Sequence, residues 1–232
     1  MKQITFQSVF DTPTVKMSNM NEEAQTPDGR VWVYLKATEI ISQYMTVSNP
    51  ANSDEDTIAS STNAAGQIVY LTQAAAGWTE GDYQDHWVVV DDGTGEGQLG
   101  KIKDNTAITL ELYTEYAFTT ALTVAGVSDV VIRHTPDAEK IAVTTLITPA
   151  MGVAQVAFAA SDYGWFLKRG IGGILVGESI TINLNITPGD DTEGTCEVGD
   201  TTKGPYDENT IARCLVANTN ADKACLADIH II

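Results

Sequence analysis

The chain is short of positive charge: 13 Lys and Arg stand against 31 Asp and Glu in 232 residues, a formal net charge of −18. Nucleic-acid binding needs Lys and Arg to displace counterions, and an acidic surface repels phosphate, so no nucleic-acid and no membrane partner is expected. Long apolar runs are missing too. Ala154 to Ala160 and Ile171 to Val176 fall well below the roughly 20 residues of a membrane-crossing helix. The opening Met1-Lys2-Gln3-Ile4-Thr5-Phe6-Gln7 holds no continuous apolar stretch of the secretory kind, so synthesis in a cytoplasm is expected.

Cysteine and histidine are equally sparse. Cys196, Cys214 and Cys225 form no C-x-x-C pair and have no histidine at ligand spacing, so neither a zinc site nor a disulfide framework follows, and buried free thiols are expected. A hairpin about Thr219-Asn220 would set Cys214 opposite Cys225, which leaves oxidation outside a cell open. With three histidines (His86, His134, His230) and no G-x-S-x-G elbow, no catalytic residue can be assembled. Gly95-Glu96-Gly97-Gln98-Leu99-Gly100 fits G-x-G-x-x-G, yet Lys101 to Thr106 leads into another strand rather than a helix, so a turn explains it better than a dinucleotide site. The acidic stretches at Asp91, Asp92 and Glu96 and at Asp190, Asp191 and Glu193 match no EF-hand spacing and read as solvated turns. No cofactor and no metal is expected.

What is present is strand material. Apolar residues make up 43% and charged residues 19%, enough for a globular core, and 29 Thr push toward β structure. Ile180, Ile182, Leu184 and Ile186 alternate with polar residues, as do Ile108, Leu110 and Leu112, the period of a strand with one buried face. Further strands are predicted over 31–35, 67–71, 86–91, 127–134, 141–146, 153–158, 165–168, 211–217 and 225–232. Helix is predicted only over Lys36 to Tyr44, with a short turn near Gln73 to Ala76. The fold class is therefore mainly β: antiparallel sandwich or barrel regions with sparse helix. Residues 1–30 lack a periodic apolar face and read as an extended N-terminal arm, followed by an N-terminal β region over 31–140 and a C-terminal β region over 141–232. Ser48 to Ala65 reads as a long exposed loop.

Two blocks carry a resemblance. His86-Trp87-Val88-Val89-Val90-Asp91-Asp92-Gly93-Thr94-Gly95-Glu96-Gly97-Gln98 with Lys101-Ile102 is one; Pro149-Ala150-Met151-Gly152-Val153-Ala154, then Tyr163-Gly164-Trp165 and Arg169-Gly170, is the other. Together they resemble a pattern of structural head proteins of tailed bacteriophages. The resemblance implies a non-enzymatic capsid decoration or cement protein, made in the host bacterial cytoplasm and bound to the major capsid protein on the outer surface of the virion. It also implies a homo-oligomer, with a trimer favoured. A tail, spike or fibre component binding a host surface, or a particle-associated glycan hydrolase, is the alternative. Contact residues expected for the lattice are Phe6, Val9 and Phe10 of the arm, together with Lys168 and Arg169; the arm is expected to be removable without loss of the fold. Tyr163 and Trp165, on one side of a strand, are expected in the core.

Overall fold

The computed structural model describes residues 1–5, 7–55, 58–62, 66–123, 128–134, 137–140, 149–189, 192–199 and 210–231. It is almost all β, with no helix as long as seven residues. The strands run β1 (Lys2–Gln3), β2 (Glu23–Gln25), β3 (Val31–Ala37), β4 (Thr46–Ser48), β5 (Ser53–Glu55), β6 (Ala59–Thr62), β7 (Ile68–Thr72), β8 (Trp87–Gly93) and β9 (Leu99–Asn105). They continue as β10 (Thr109–Leu112), β11 (Ser128–Arg133), β12 (Asp137–Lys140), β13 (Ala150–Val153), β14 (Tyr163–Val176), β15 (Asn185–Pro188), β16 (Cys196–Val198), β17 (Ala212–Val216) and β18 (Lys223–His230).

The chain divides into two compact units, residues 1–49 with 136–232, and residues 50–135. This corrects the expected division into 31–140 and 141–232. A linear reading assumes that neighbours in sequence share a core, whereas here the second unit is inserted between β4 and β12. Those two strands pair antiparallel, Ser48 with Glu139 and Val47 with Lys140.

In the first unit the pairings close on themselves twice. β3, β12, β4, β13 and β14 return to β3, and β14, β16, β15, β17 and β18 return to β14. The unit is thus two five-stranded rings that share the 14-residue β14. Closure leaves neither ring with an open edge, the usual liability of a sheet. At the passage from one ring to the next β14 carries a bulge: Leu167 pairs with Trp32 and Arg169 with Val31, and Gly170 takes φ +110°. The extra residue changes which alternate positions face inward. Trp165 and Leu167 before it, and Ile174 and Val176 after it, all join one core, while Phe166 lies in another with Val33, Leu35, Val47 and Phe158.

The N-terminal thirty residues are not an arm. β1 pairs parallel with β2, and β2 pairs antiparallel with β3. Val9 is fully buried in the same core as Ala24, Trp32, Tyr34 and Trp165. The segment covers the face of β3 that points away from its ring, which is why five consecutive residues, Val31 to Leu35, are all buried. The polar composition of the segment hid this role, because it buries a few scattered residues rather than a periodic stripe.

The second unit holds one seven-stranded sheet in the order β5, β11, β8, β9, β10, β7, β6. Val88, Val90, Ile102, Leu110, Leu112, Val130 and Ile132 line its core face, joined by Trp78, Phe118 and Leu122 from the connections. The stretch expected as one exposed loop contains β5 and β6, with Ile58 between them fully buried. The predicted helix over 36–44 is absent: β3 runs on through Ala37, and Tyr44 has φ +72°. The alternating run at Ile180 is also interrupted, because Asn183 adopts φ +69°, Ile182 is exposed and the strand begins only at Asn185. Period-two alternation does not by itself forbid a left-handed residue, and Asn tolerates one well. The strand predicted over 141–146 lies outside the described residues.

Candidate functional site

Of the residues expected at a lattice contact, Phe6 lies outside the described residues. Val9 is unavailable, since it is core. Phe10 follows it on a single 3₁₀ turn (Ser8–Phe10) and remains 47% exposed, with its ring edge-on to Trp32 at 6.4 Å. Lys168 sits at the bulge of β14 and its Nζ is 2.7 Å from Glu23 Oε1, a partly buried ion pair that ties β14 to β2. Arg169 is exposed.

Trp165 is core, as the sequence suggests, and Tyr163 packs against that core half-buried. Tyr34 stacks against Tyr163 at 6.4 Å and meets Trp165 edge-on at 5.0 Å. Burial pushes the Tyr34 hydroxyl above its ordinary pKa, and that hydroxyl accepts a hydrogen bond from the Met17 N–H at 2.9 Å. Beside these rings a cleft of about 550 Å³ opens between the N-terminal segment and β3 and β14, lined among others by Lys2, Ile4, Asp11 and Met17. It has an aromatic floor and a rim of mixed polarity, and nothing in its lining selects one ligand chemistry.

The first resemblance block forms β8, a turn and β9 in the second unit. Gly93, Gly95 and Gly97 have φ of +83°, +92° and +83°, so the glycines serve the turn, as the sequence suggested. Gln98 leaves this turn and clamps a neighbouring connection. Its Oε1 accepts from the N–H groups of Thr119 and Thr120, both at 2.8 Å, and its Nε2 donates to the Thr120 carbonyl at 2.9 Å.

Two groupings in this unit have no sequence signal, because the partners are far apart in the chain. The rings of His86 and His134 lie 5.0 Å apart at 85°, with Tyr83 5.5 Å from each. His86 Nδ1 contacts the Gln84 carbonyl at 3.2 Å, and His134 Nε2 contacts Ser53 Oγ at 2.8 Å. These are the imidazoles of the unit that could hold a cation, although two nitrogens fall short of the four ligands of a closed zinc site. Asp85, largely buried, takes Lys101 Nζ at 3.3 Å and the Tyr113 hydroxyl at 3.3 Å. Burial first, and the Asp85 charge second, raise the pKa of Tyr113.

The three cysteines are free and buried in the first unit. The expected hairpin forms, but Cys214 pairs with Ala227, and a bulge follows before Val216 pairs with Leu226, so Cys225 is not its direct partner. Cys196 lies 3.0 Å from Thr46 Oγ1, and burial pushes its thiol up to about 12. Burial, then the neighbouring Cys214, does the same to Cys225. Thiols held this far from ionisation are poor nucleophiles at neutral pH. Of the two acidic stretches, Asp190 and Asp191 lie outside the described residues. Asp91 and Asp92 are exposed, and Asp92 Oδ1 accepts from the Gly93 N–H.

No protein family model, no curated protein and no solved structure matches this chain.

Proposed function

We propose that this chain is a virion structural protein: a decoration or cement protein that binds the lattice of major capsid protein on the outer surface of a tailed-phage head. In this reading it acts as a homo-oligomer, with a trimer favoured, and performs no chemistry. The observation that carries the reading is where the two resemblance blocks fall. The first forms the β8–β9 hairpin of the inserted unit, and the second runs through β13 into β14, the strand shared by both rings. The likeness therefore spans both compact units, and its residues are spent on the framework: Gly164 lies against the Phe158 ring, and Trp165 is 4% exposed. Closed rings suit a protein that must persist outside a cell, and an acidic surface keeps free copies apart before assembly. A modest contact repeated by symmetry over a lattice gives strong overall attachment.

The test is the copy number of this chain relative to the major capsid protein in purified particles, by quantitative mass spectrometry. A ratio near one, or a simple fraction of it, is expected. A handful of copies per particle would move the chain to a vertex or the tail, and absence from particles would remove the reading.

A further inference from the structure

β17 and β18 run antiparallel and are joined by residues 217–222, where Asp222 takes φ +54°. The inward side of this hairpin carries Ala212 and Cys214 on one strand and Cys225, Ala227 and Ile229 on the other, all in one core. Ala212 pairs with Ile229 and Cys214 with Ala227, after which the bulge brings Val216 beside Leu226. Cys214 and Cys225 are thus diagonal neighbours on one side of two paired strands. Diagonal Cα atoms lie about 7–8 Å apart, just beyond the usual span of a disulfide.

Side-chain direction brings the two sulfurs closer than their backbones. Cys214 Sγ turns along the strand toward the hairpin end and donates to the Val216 carbonyl at 3.3 Å. There it is in hydrogen-bond contact with the Cys225 thiol. The remaining travel falls on the end of the hairpin, where residues 219–224 are all exposed and can shift without displacing the core. Access is at hand as well. Cys225 is the last buried position of its row, 5% exposed, and Lys223, two residues before it on the same side, already stands in solvent. Cys196 is near enough for Cys225 to act on it through space, but it is fully buried and engaged by Thr46 Oγ1 at 3.0 Å. The three cysteines resolve into a contacting pair and a single thiol.

We propose that Cys214 and Cys225 are the site of an intramolecular disulfide, closed by a small disulfide oxidant outside a reducing compartment, which staples β17 to β18 and leaves Cys196 a free thiol. In the first step Cys225 gives up its proton and attacks one sulfur of the oxidant, whose S–S bond breaks; one half leaves as a thiol and the other stays on Cys225 as a mixed disulfide. In the second step Cys214 gives up its proton, attacks the Cys225 sulfur and expels the remaining half. Two protein thiols are oxidised, and one oxidant disulfide is reduced to two thiols. The burial that keeps Cys225 protonated makes the first step slow, so the link belongs to a long life outside a cell rather than to synthesis. The β17–β18 pairing is a seam of the second ring, and a cross-link there holds the ring closed. The inference goes beyond the decoration reading and does not depend on it.

The experiment uses the full chain, purified under reductant, freed of it and incubated with excess oxidised glutathione at about pH 8. The chain is then unfolded, its remaining thiols are alkylated, and intact mass is read. Alkylation is expected to fall from the three cysteines to one, with peptide mapping placing Cys214 and Cys225 in one linked pair. The urea midpoint should rise on oxidation and return with dithiothreitol. Cys214→Ala and Cys225→Ala should each block the link, and Cys196→Ala should leave it intact, with far-ultraviolet circular dichroism confirming that each variant is folded. Three thiols retained by the wild-type chain, a mapped link that includes Cys196, mixed disulfides that never resolve, or a linked chain whose midpoint does not rise would overturn the proposal. None of these outcomes bears on copy number in particles, so the decoration reading is judged separately.

Discussion

In the double-ring unit β3 has no free side: Val33, Leu35 and Ala37 point into one core, and Trp32 and Tyr34 lie beneath the N-terminal segment in another. In the inserted unit β8 buries Val88 and Val90 and leaves Trp87 and Val89 only partly covered. Both are seven-residue strands with apolar sequences. A strand enclosed on both sides has no direction in which to relax, so changes in its surroundings are felt in full; a strand with one open face absorbs them at its outer positions.

The sharpest way to break this contrast is to remove residues 1–24. Trp32, Tyr34 and Trp165 would each lose cover at about 1.5–3 kcal/mol per side chain, together comparable with the roughly 5–15 kcal/mol that holds a typical domain. The double-ring unit is expected to lose cooperative unfolding in urea, and an unchanged midpoint would return the segment to the status of an arm. Next in size is Gly164→Val, whose side chain would enter the Phe158 ring and approach the Asp11 carbonyl. About 3 kcal/mol is expected from overpacking. Val89→Thr, on the open side of β8, should stay within about 0.5 kcal/mol, and equal losses at the two sites would erase the distinction.

Gln98→Ala removes four hydrogen bonds from the inserted unit and should cost it about 2 kcal/mol. Differential scanning calorimetry should show this as a shift of one transition out of two; a single transition that shifts as a whole would mean that the units do not melt independently. A further test concerns pH. The Cys196 thiol is pushed up to about 12 from 9.0, so the unfolded chain loses this proton first. The stability tied to the neutral thiol is intact below pH 9.0 and falls by about 1.4 kcal/mol per unit as pH rises toward 12. Cys225, raised in the same way, contributes a like slope, so Cys196→Ala should about halve the total, measured as urea midpoints between about pH 8 and 10.5. A slope that persists unchanged would assign the alkaline loss to other groups.

The sequence made the class of fold plain, because a strand such as Thr109–Leu112 advertises its buried face by alternation. It also located the turn at Gly93 to Gly97 and the aromatic pair Tyr163 and Trp165, features that depend on neighbours in the chain. What it concealed is long-range. Two rings closed through one strand, and a unit inserted between paired strands, are facts about partners many residues away, which no local periodicity encodes. The bulge at Lys168 hid in the same way, since a one-residue change in facing looks like noise in an alternating pattern. For the same reason the offset of Cys214 from Cys225 is visible only once the register is known. The hairpin that joins them was legible, and the bulge that sets them diagonally was not.

The pairing of β4 with β12 has a use of its own. Because the chain leaves the ring at Ser48 and re-enters on the adjacent strand at Asp137, the framework is indifferent to the length of what is strung between the two ends; doubling a flexible loop adds only about 0.6 kcal/mol of closure entropy. That junction is a natural splice point. A foreign domain with neighbouring termini could be exchanged for residues 50–135 while the rings fold as before, which would make the double ring a carrier for grafted cargo.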